Sequence, residues 1–354
     1  MLRRSAGWVA DRDRVPKSLS AVFGYYATTG VFDYRSLLLK TQVDSTMEGM
    51  IDRIFDEIAD AIAEEFGYSD VTFEYNTKLL LPVELTLAYL YRHLDEENHD
   101  QAEEFSRLVT EALLDGDMRD AINDDEFEDF EVDVPVDGDD RRRIAELAQE
   151  LLQARVEERL AEYPDNVRER YEWAVDRSEA HQDQDDKFRQ WMSAARDGDE
   201  EAIEHIESEY KCATFEDKPA LFTEEEHSFP YLKTQYDRVG VIYDAMLQVY
   251  LDAGFPVDES FRRAIVFAII GAQIWLDDID DYEDDLREGQ LTPVTAEYLL
   301  ADGEREASKA VVDTSYQYLD RAKQEATVAD SALTGIAVEY IIRDGRPEIL
   351  PDGR

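Results

Sequence analysis

The hydrophobic positions along this chain recur mainly with the spacing of an α-helix. In the segment 47–66, apolar side chains fall three and four residues apart with Asp and Glu between them, which predicts an amphipathic helix. The segment 79–93 is apolar almost all round and carries Pro82 in what would be its first turn, so we expect it inside a bundle. The same spacing predicts further helices at 142–163, 236–253, 261–286, 294–326 and 331–343. Strand-like patterns are too few for a sheet, and we therefore predict an all-α fold, one helical bundle.

One stretch interrupts the helical pattern. Between residues 115 and 140 the chain is acidic and has few apolar positions, and Val134, Pro135 and Gly138 mark its end. We predict a solvated acidic insertion with at most a short strand at 127–134. The predicted organisation is residues 1–114 as the N-terminal helices of the bundle, 115–140 as the acidic insertion, and 141–354 as the C-terminal helices.

The charge of the chain is extreme. Among its 354 residues, 84 are acidic and 37 are basic, which gives a formal net charge of −47. Such a surface repels itself at low salt, whereas at molar salt the Debye length falls to about 3 Å and the repulsion is screened. The basic residues are mostly Arg, with few Lys. This composition resembles that of proteins from extreme halophiles.

Several classes of function are disfavoured by composition. Nucleic acids and anionic lipids both require clustered positive charge, and this chain offers little. Its lone Cys212 excludes an internal disulfide and a multi-cysteine metal site. Residues 1–15 lack the apolar core of a signal peptide, and the most apolar run, 264–276, is too short to span a bilayer. We expect a cytoplasmic protein that neither spans a membrane nor binds nucleic acid.

The candidate chemistry lies in the acidic segment that follows this apolar run. Asp277, Asp281 and Asp285 recur at every fourth residue, and Asp278 flanks the first, so one continuous helix would present several carboxylates on one face. Carboxylates about 6 Å apart repel by roughly 0.7 kcal/mol in water and by roughly 3 kcal/mol at an effective dielectric of about 20. Inside a cavity this repulsion favours a divalent cation, and Mg²⁺, which bridges carboxylates to phosphates, suits such ligands. The alternative is a solvated acidic helix at the rim of the bundle.

Three sequence segments carry a resemblance to a known family. The acidic segment reads Gln273-Ile-Trp-Leu-Asp-Asp-Ile-Asp-Asp281, followed by Asp285-Leu-Arg-Glu-Gly-Gln-Leu-Thr-Pro293. It resembles the second aspartate-rich motif of the trans-isoprenyl diphosphate synthases, Gln-Ile-x-Asp-Asp-x-x-Asp and then Asp-Leu-x-Glu-Gly-Lys-x-Thr-Leu-Pro. Lys-Thr at 233–234 is similar to the Lys-Thr pair of that family, and residues 316–343 resemble its final helices. The resemblance covers about residues 233–343.

The resemblance implies an isoprenoid-synthase-like bundle that binds a prenyl diphosphate and Mg²⁺ in isoprenoid biosynthesis. A first aspartate motif faces the second in that family, and its best counterpart here is the segment 84–100. The implied catalytic residues are Asp277, Asp278 and Asp281. The implied metal ligands are Asp277, Asp278, Asp281 and Asp285, with Asp95 and Glu96 opposite them. The implied substrate-binding residues are Lys233, Thr234, Gln273 and Arg92. Members of the family are commonly dimers, which implies a homodimer.

The chain also departs from the family pattern. Leu94 stands where the first motif has its first aspartate, and Gln290 replaces the lysine of the second motif. No counterpart is found for the Gly-Gly-Lys-Arg-x-Arg-Pro element that grips isopentenyl diphosphate. Each lost charge-assisted hydrogen bond to phosphate costs about 1.5 to 3 kcal/mol. We therefore expect a Mg²⁺-dependent prenyltransferase or terpene-synthase-like lyase that ionises or transfers one prenyl diphosphate. The alternative is a catalytically inactive helical relative that serves binding or assembly in a halophile.

Overall fold

A computed structural model describes residues 17–124, 127 and 130–353 of the chain. The structure is 77% helical, with very little strand in the described residues, so the predicted all-α class is confirmed. In the described part, no helix is both long and apolar enough to cross a membrane.

The helices follow one another along the chain, with longer irregular connections at 67–80, before Gly138 and at 212–231. In order they are α1 (Lys17–Thr29), α2 (Tyr34–Phe66), α3 (Leu81–His93), α4 (His99–Asp124), α5 (Gly138–Leu160), α6 (Asp165–Arg196), α7 (Glu200–His205), α8 (Leu232–Gln235), α9 (Val241–Asp252), α10 (Glu259–Ala272), α11 (Asp278–Asp280), α12 (Tyr282–Glu288), α13 (Pro293–Leu300), α14 (Glu304–Val328) and α15 (Ala332–Asp344). Short 3₁₀ turns occupy Lys78–Leu80, Glu96–Asn98, Glu226–Ser228 and Pro347–Ile349.

The chain divides into two compact units, which cut it differently from the predicted three-part organisation. The larger unit contains residues 17–33, 173–245 and 258–353, and the smaller unit contains residues 34–172 and 246–257. The sequence pattern gave no sign of this division, because helical periodicity reports which face of a helix is buried and not against which neighbour it is buried.

The smaller unit is built on the amphipathic helix α2. The apolar stripe predicted for 47–66 is buried: Met47, Met50, Ile54, Ile58 and Ile62 are each at most 2% exposed. Helix α4 packs along α5 and against α3. Two short strands, β1 (Phe73–Tyr75) and β2 (Phe130–Val132), pair in antiparallel register in this unit. The second of them lies within the short strand predicted at 127–134.

The first part of the predicted acidic insertion, residues 115–124, is a continuation of helix α4. That helix extends to Asp124, and Leu114 and Met118 on it are buried. Asp115 is also fully buried, and it accepts hydrogen bonds from Arg119 at 2.7 Å and from Gln149 at 2.9 Å. The expectation of a solvated excursion from residue 115 was therefore wrong over 115–124, because Arg119 on the next turn and Gln149 on helix α5 compensate the buried carboxylate.

The core of the larger unit lies between helices α10, α14 and α15. Helix α10 packs along α14, and α15 packs against both α14 and α1. Phe267 and Tyr318 are fully buried where α10 meets α14. Gly335 on α15 lies directly against the ring of Tyr25 on α1, leaving no room for a Cβ atom. Close approach of these two helices therefore depends on glycine at that position.

A buried ionic network joins the loop before α8 to helices α10 and α14. Glu226 is fully buried and accepts hydrogen bonds from Arg263 at 2.5 Å and from the backbone N–H of Thr223 at 2.7 Å. Arg321 lies 3.3 Å from the same carboxylate, and Arg263 also contacts Glu325 at 2.9 Å. This network fixes the irregular segment that precedes the candidate site.

Candidate functional site

Three helical segments in the described part of the larger unit are wound as π-helix. They are Ile206–Lys211, Tyr236–Gly240 and Gln273–Asp277. A π turn inserts an extra residue into a helix and moves the following side chains out of α-helical register, and such turns are frequent at functional sites. The third π segment begins the acidic sequence that the motif analysis identified.

The acidic sequence is consequently not one regular helix. The π segment Gln273–Asp277 is followed by the short helix α11, a break at Asp281, and helix α12, which ends at Glu288 and is capped by Gly289 with a positive φ of 75°. The backbone N–H groups of Asp281 and Asp285 still donate to the carbonyls of Asp277 and Asp281, at 2.9 and 2.8 Å, so these three residues keep the spacing of α-helical turns. Asp277 and Asp281 are exposed, Asp285 is half-buried and Asp278 is buried.

Asp278 is the most deeply placed carboxylate of this sequence. Its side chain is 2% exposed, and its Oδ1 accepts hydrogen bonds from Nη1 of Arg238 at 3.3 Å and from Nε2 of Gln273 at 3.4 Å. Its Oδ2 is buried and makes no hydrogen bond to any described residue. Burial raises the pKa of Asp278 to about 7, because the opposing effect of Arg238 and Gln273 is smaller than the desolvation of the carboxylate.

Asp285 shares the same cation. Desolvation raises its pKa to about 6, while the positive charge of Arg238 and a hydrogen bond from Thr292 oppose this shift. Asp281 and Glu288 add further negative charge nearby. One guanidinium therefore faces two partly or wholly desolvated carboxylates, Asp278 and Asp285, and neutralises them incompletely.

A small pocket opens beside Arg238. Its volume is about 30 Å³, and its polar lining includes Thr234, Gln235, Arg238, Gln290 and Thr292. A water molecule needs about 10 to 15 Å³ by this measure, so the pocket has room for small polar groups but not for a prenyl chain. Gln235 is fully buried, and neither its Oε1 nor its Nε2 has a hydrogen-bond partner among the described residues.

The predicted Lys-Thr pair lies on the helix that lines this pocket. Nζ of Lys233 forms an ion pair with Asp237 at 2.9 Å, and Arg177 contacts the other oxygen of the same carboxylate, also at 2.9 Å. The hydroxyl of Thr234 donates to the backbone carbonyls of Tyr210 and Tyr231, both at 3.2 Å. Both side chains thus have structural partners within the larger unit.

The other predicted site residues belong to the smaller unit. Arg92 is half-buried, and its Nη1 lies 3.4 Å from Oγ of Ser36. Asp95 and Glu96 are exposed at the start of a 3₁₀ turn, where the Asp95 carboxylate makes no capping hydrogen bond. The structure therefore places Lys233, Thr234, Gln273, Asp278 and Asp285 in the larger unit, where Gln273 contacts Asp278, and it places Arg92, Asp95 and Glu96 in the smaller unit.

Sequence reasoning did not identify Arg238 or Gln235. Both follow the Lys-Thr pair within one and a half helical turns, and the available signal was a cluster of polar residues at the start of a long apolar helix. Within the described residues, no group of three or more His, Cys, Asp or Glu side chains is arranged to hold a metal ion.

No protein-family model matches the chain, and it matches neither a curated protein nor a solved structure. The resemblance to the trans-isoprenyl diphosphate synthases therefore rests on the motifs themselves.

Proposed function

We propose that this chain binds a prenyl diphosphate at the acidic segment 273–289 and ionises or transfers it with Mg²⁺. The observation that supports the proposal is the state of Asp278, a buried carboxylate with one oxygen that has no hydrogen-bond partner among the described residues. Its neighbour Asp285 has a raised pKa for the same reason, desolvation. Two carboxylates in this condition favour a bound cation.

The carboxylate oxygens of this segment suit a Mg²⁺ ion that is held partly by the substrate. Mg²⁺ takes oxygen ligands and is usually held by one or two carboxylates together with phosphate oxygens and water, not by a complete protein cage. Asp278 and Asp285 supply two such carboxylates, and the exposed Asp277 and Asp281 flank them. The lack of a preformed group of three ligands in the described residues is compatible with an ion that arrives with its diphosphate. Bound there, Mg²⁺ would supply charge neutralisation for the leaving diphosphate.

Residues of the chain itself would orient the ligands. Gln273 donates to Oδ1 of Asp278 and so fixes the plane of that carboxylate. Thr292 donates to Asp285 and favours its ionised form. Lys233 carries an ammonium group on the helix that lines the adjoining pocket, where a diphosphate could take the place of Asp237 as its partner. A homodimer in the cytoplasm of a halophile is part of the proposal, as the composition and the resemblance suggest.

The second candidate is a non-catalytic helical protein that binds a ligand or assembles with a partner. Two observations favour it. The pocket beside Arg238 has a volume of about 30 Å³, which does not accommodate a prenyl chain. Arg238 and Lys233 already form ion pairs with Asp278 and Asp237, so part of the negative charge is compensated by the protein itself.

Diphosphate release separates the two candidates. The full chain is incubated in about 2 M KCl, where the Debye length is near or below about 3 Å, with Mg²⁺ and radiolabelled prenyl diphosphates of several lengths. We expect inorganic diphosphate and labelled prenyl product, and loss of at least about 100-fold in rate for Asp278→Asn because a metal ligand is removed. Asp284→Asn is the matched control, since Asp284 is an exposed residue of the same segment. Absence of release with every prenyl length would leave the non-catalytic candidate.

A further inference from the structure

Arg238 is the cation that faces both Asp278 and Asp285. Its Nη1 is 3.3 Å from Asp278, and its charge acts on Asp285 as well. Both carboxylates are among the metal ligands of the proposed function. The guanidinium therefore shares its carboxylate partners with the divalent ion that the function requires.

The pairing between Arg238 and Asp278 is loose. A charge-assisted N–H to carboxylate hydrogen bond usually spans about 2.7 to 2.9 Å, whereas this contact is 3.3 Å, and it leaves Oδ2 without a hydrogen-bond partner among the described residues. A divalent ion would approach a carboxylate oxygen to about 2.0 to 2.1 Å. Because like charges repel strongly at such short range, the guanidinium has to move away when the ion binds.

The pocket provides a place for the displaced guanidinium. Arg238 already lines it, and so does the fully buried Gln235. The amide oxygen of Gln235 accepts no hydrogen bond from a described residue, although a buried amide oxygen normally has a donor. A guanidinium that turned away from Asp278 would supply that donor.

We infer that Arg238 is an internal counter-ion that competes with a divalent cation for Asp278 and Asp285, and that the pocket beside Gln235 receives its guanidinium when the cation binds. This inference rests on the proposed function, because it takes Asp278 and Asp285 as the ligands of Mg²⁺. It adds that Arg238 pairs with Asp278 in the metal-free chain and with Gln235 in the metal-bound chain. Because this exchange has to occur, metal binding is weaker than it would be without Arg238.

Direct titration with Mn²⁺, followed by the electron paramagnetic resonance signal of the free ion, tests the inference without any measurement of turnover. The full chain is titrated in about 2 M KCl to screen the acidic surface. Mn²⁺ binding at the proposed site is taken as the part of the total binding that is lost in the variant Asp278→Asn. Arg238→Met is expected to bind Mn²⁺ at least about tenfold more tightly, because the competing cation is gone. Gln235→Leu is expected to bind at least about threefold more weakly, because the displaced guanidinium loses its acceptor.

The controls separate this local competition from a general change of charge. Arg287→Met removes the same charge as Arg238→Met, but Arg287 is an exposed residue of the acidic segment and pairs with the exposed Asp284. Its Mn²⁺ affinity is expected to stay within about twofold of that of the unaltered chain, since surface charges are screened at this salt. Arg238→Lys keeps the charge and is expected to bind no more tightly than the unaltered chain. Circular dichroism checks folding, and Gln235→Leu decides the matter if Arg238→Met does not fold.

The outcomes distinguish the inference from the function on which it rests. If the unaltered chain binds Mn²⁺ and Arg238→Met binds no more tightly, the counter-ion inference is overturned and the proposed function stands. If only Arg238→Met binds Mn²⁺, the inference is supported, and a Mg²⁺-dependent activity of the unaltered chain is contradicted. If none of the variants binds Mn²⁺ through Asp278, both are overturned.

Discussion

Nη1 of Arg238 and Oδ1 of Asp278 lie 3.3 Å apart in the larger unit. Arg238 lies within one π turn, and Asp278 directly follows another. The pair joins the helix that carries the Lys-Thr sequence to the segment that carries the aspartates. It leaves the second oxygen of Asp278 without a hydrogen-bond partner among the described residues. The proposed binding of Mg²⁺ and the proposed competition from Arg238 thus depend on the same carboxylate.

Asp278 should make the stability of the protein depend on pH. Its pKa is about 7 in the folded chain, against the ordinary value of 3.8 expected in the unfolded chain, so the folded protein retains a proton that the unfolded chain has released. The free energy of unfolding should therefore fall as pH rises from about 4 to about 7. Asp278→Asn removes this pH dependence. The free energy of unfolding of the variant, relative to that of the unaltered chain, should rise across that pH window by up to about 4 kcal/mol.

Urea denaturation at constant KCl, measured at several pH values, checks this expectation. Asp284→Asn is the control, because Asp284 is exposed and its replacement should leave the pH dependence unchanged. Parallel stability curves for Asp278→Asn and the unaltered chain would show that Asp278 titrates alike in the folded and unfolded states.

Gly335→Ala should destabilise the protein. A Cβ atom at this position would overlap the ring of Tyr25, and the helix or the ring must shift to admit it. We expect a loss of about 1 to 3 kcal/mol, typical of overpacking in a close-packed core. Thermal unfolding measures it. In a Tyr25→Leu background the same substitution should cost markedly less, because the clashing ring is absent.

Gly49→Ala provides the matched control for that experiment. Gly49 lies within helix α2, where a Cβ atom would meet nothing within 4 Å. The substitution should stabilise the protein by about 0.5 to 1 kcal/mol, because alanine loses less backbone freedom than glycine on forming a helix. Equal effects at the two positions would contradict the assignment of close packing to Gly335.

Glu226→Ala should be among the most damaging substitutions in the chain. It removes the carboxylate that compensates Arg263, whose guanidinium is itself buried, and it also leaves the backbone N–H of Thr223 without its acceptor. Removing one partner from a buried ion pair typically costs about 3 to 5 kcal/mol. Urea denaturation at constant salt measures the loss. Glu224→Ala, which removes an exposed carboxylate paired with Lys218, should unfold at the same urea concentration as the unaltered chain.

The net charge of −47 predicts a strong dependence of stability on salt. At low ionic strength the acidic surface repels itself, and the repulsion destabilises the compact state. The midpoint of thermal unfolding should therefore rise steadily as KCl increases from about 0.1 M to about 1 M, over which the Debye length falls from about 10 Å to about 3 Å. Sucrose at matched osmolality is the control, and an equal stabilisation by sucrose would argue against charge screening as the cause.

Much of the fold followed from local pattern. The stripe from Met47 to Ile62, the start of α3 at the turn that contains Pro82, and the short strand near Phe130 were all predictable, because each depends on residues adjacent in sequence or one helical turn apart. Asp115 shows the limit of this reasoning. An acidic residue in an acidic stretch indicated solvent, but the distant Gln149 and the nearby Arg119 allow its burial.

The sequence by itself determined the helical class, the acidic composition, and the order of a Lys-Thr pair and a later segment with an amide and carboxylates that resembles a known family. Only the tertiary structure decided which carboxylate turns inward. Regular helical spacing assigned Asp277, Asp281 and Asp285 to one face, but the buried carboxylate is that of Asp278, the residue directly after the π turn at Gln273–Asp277. The position of Arg238 against that carboxylate depends on how two helices forty residues apart in sequence pack together, and periodicity within one helix carries no information about that contact.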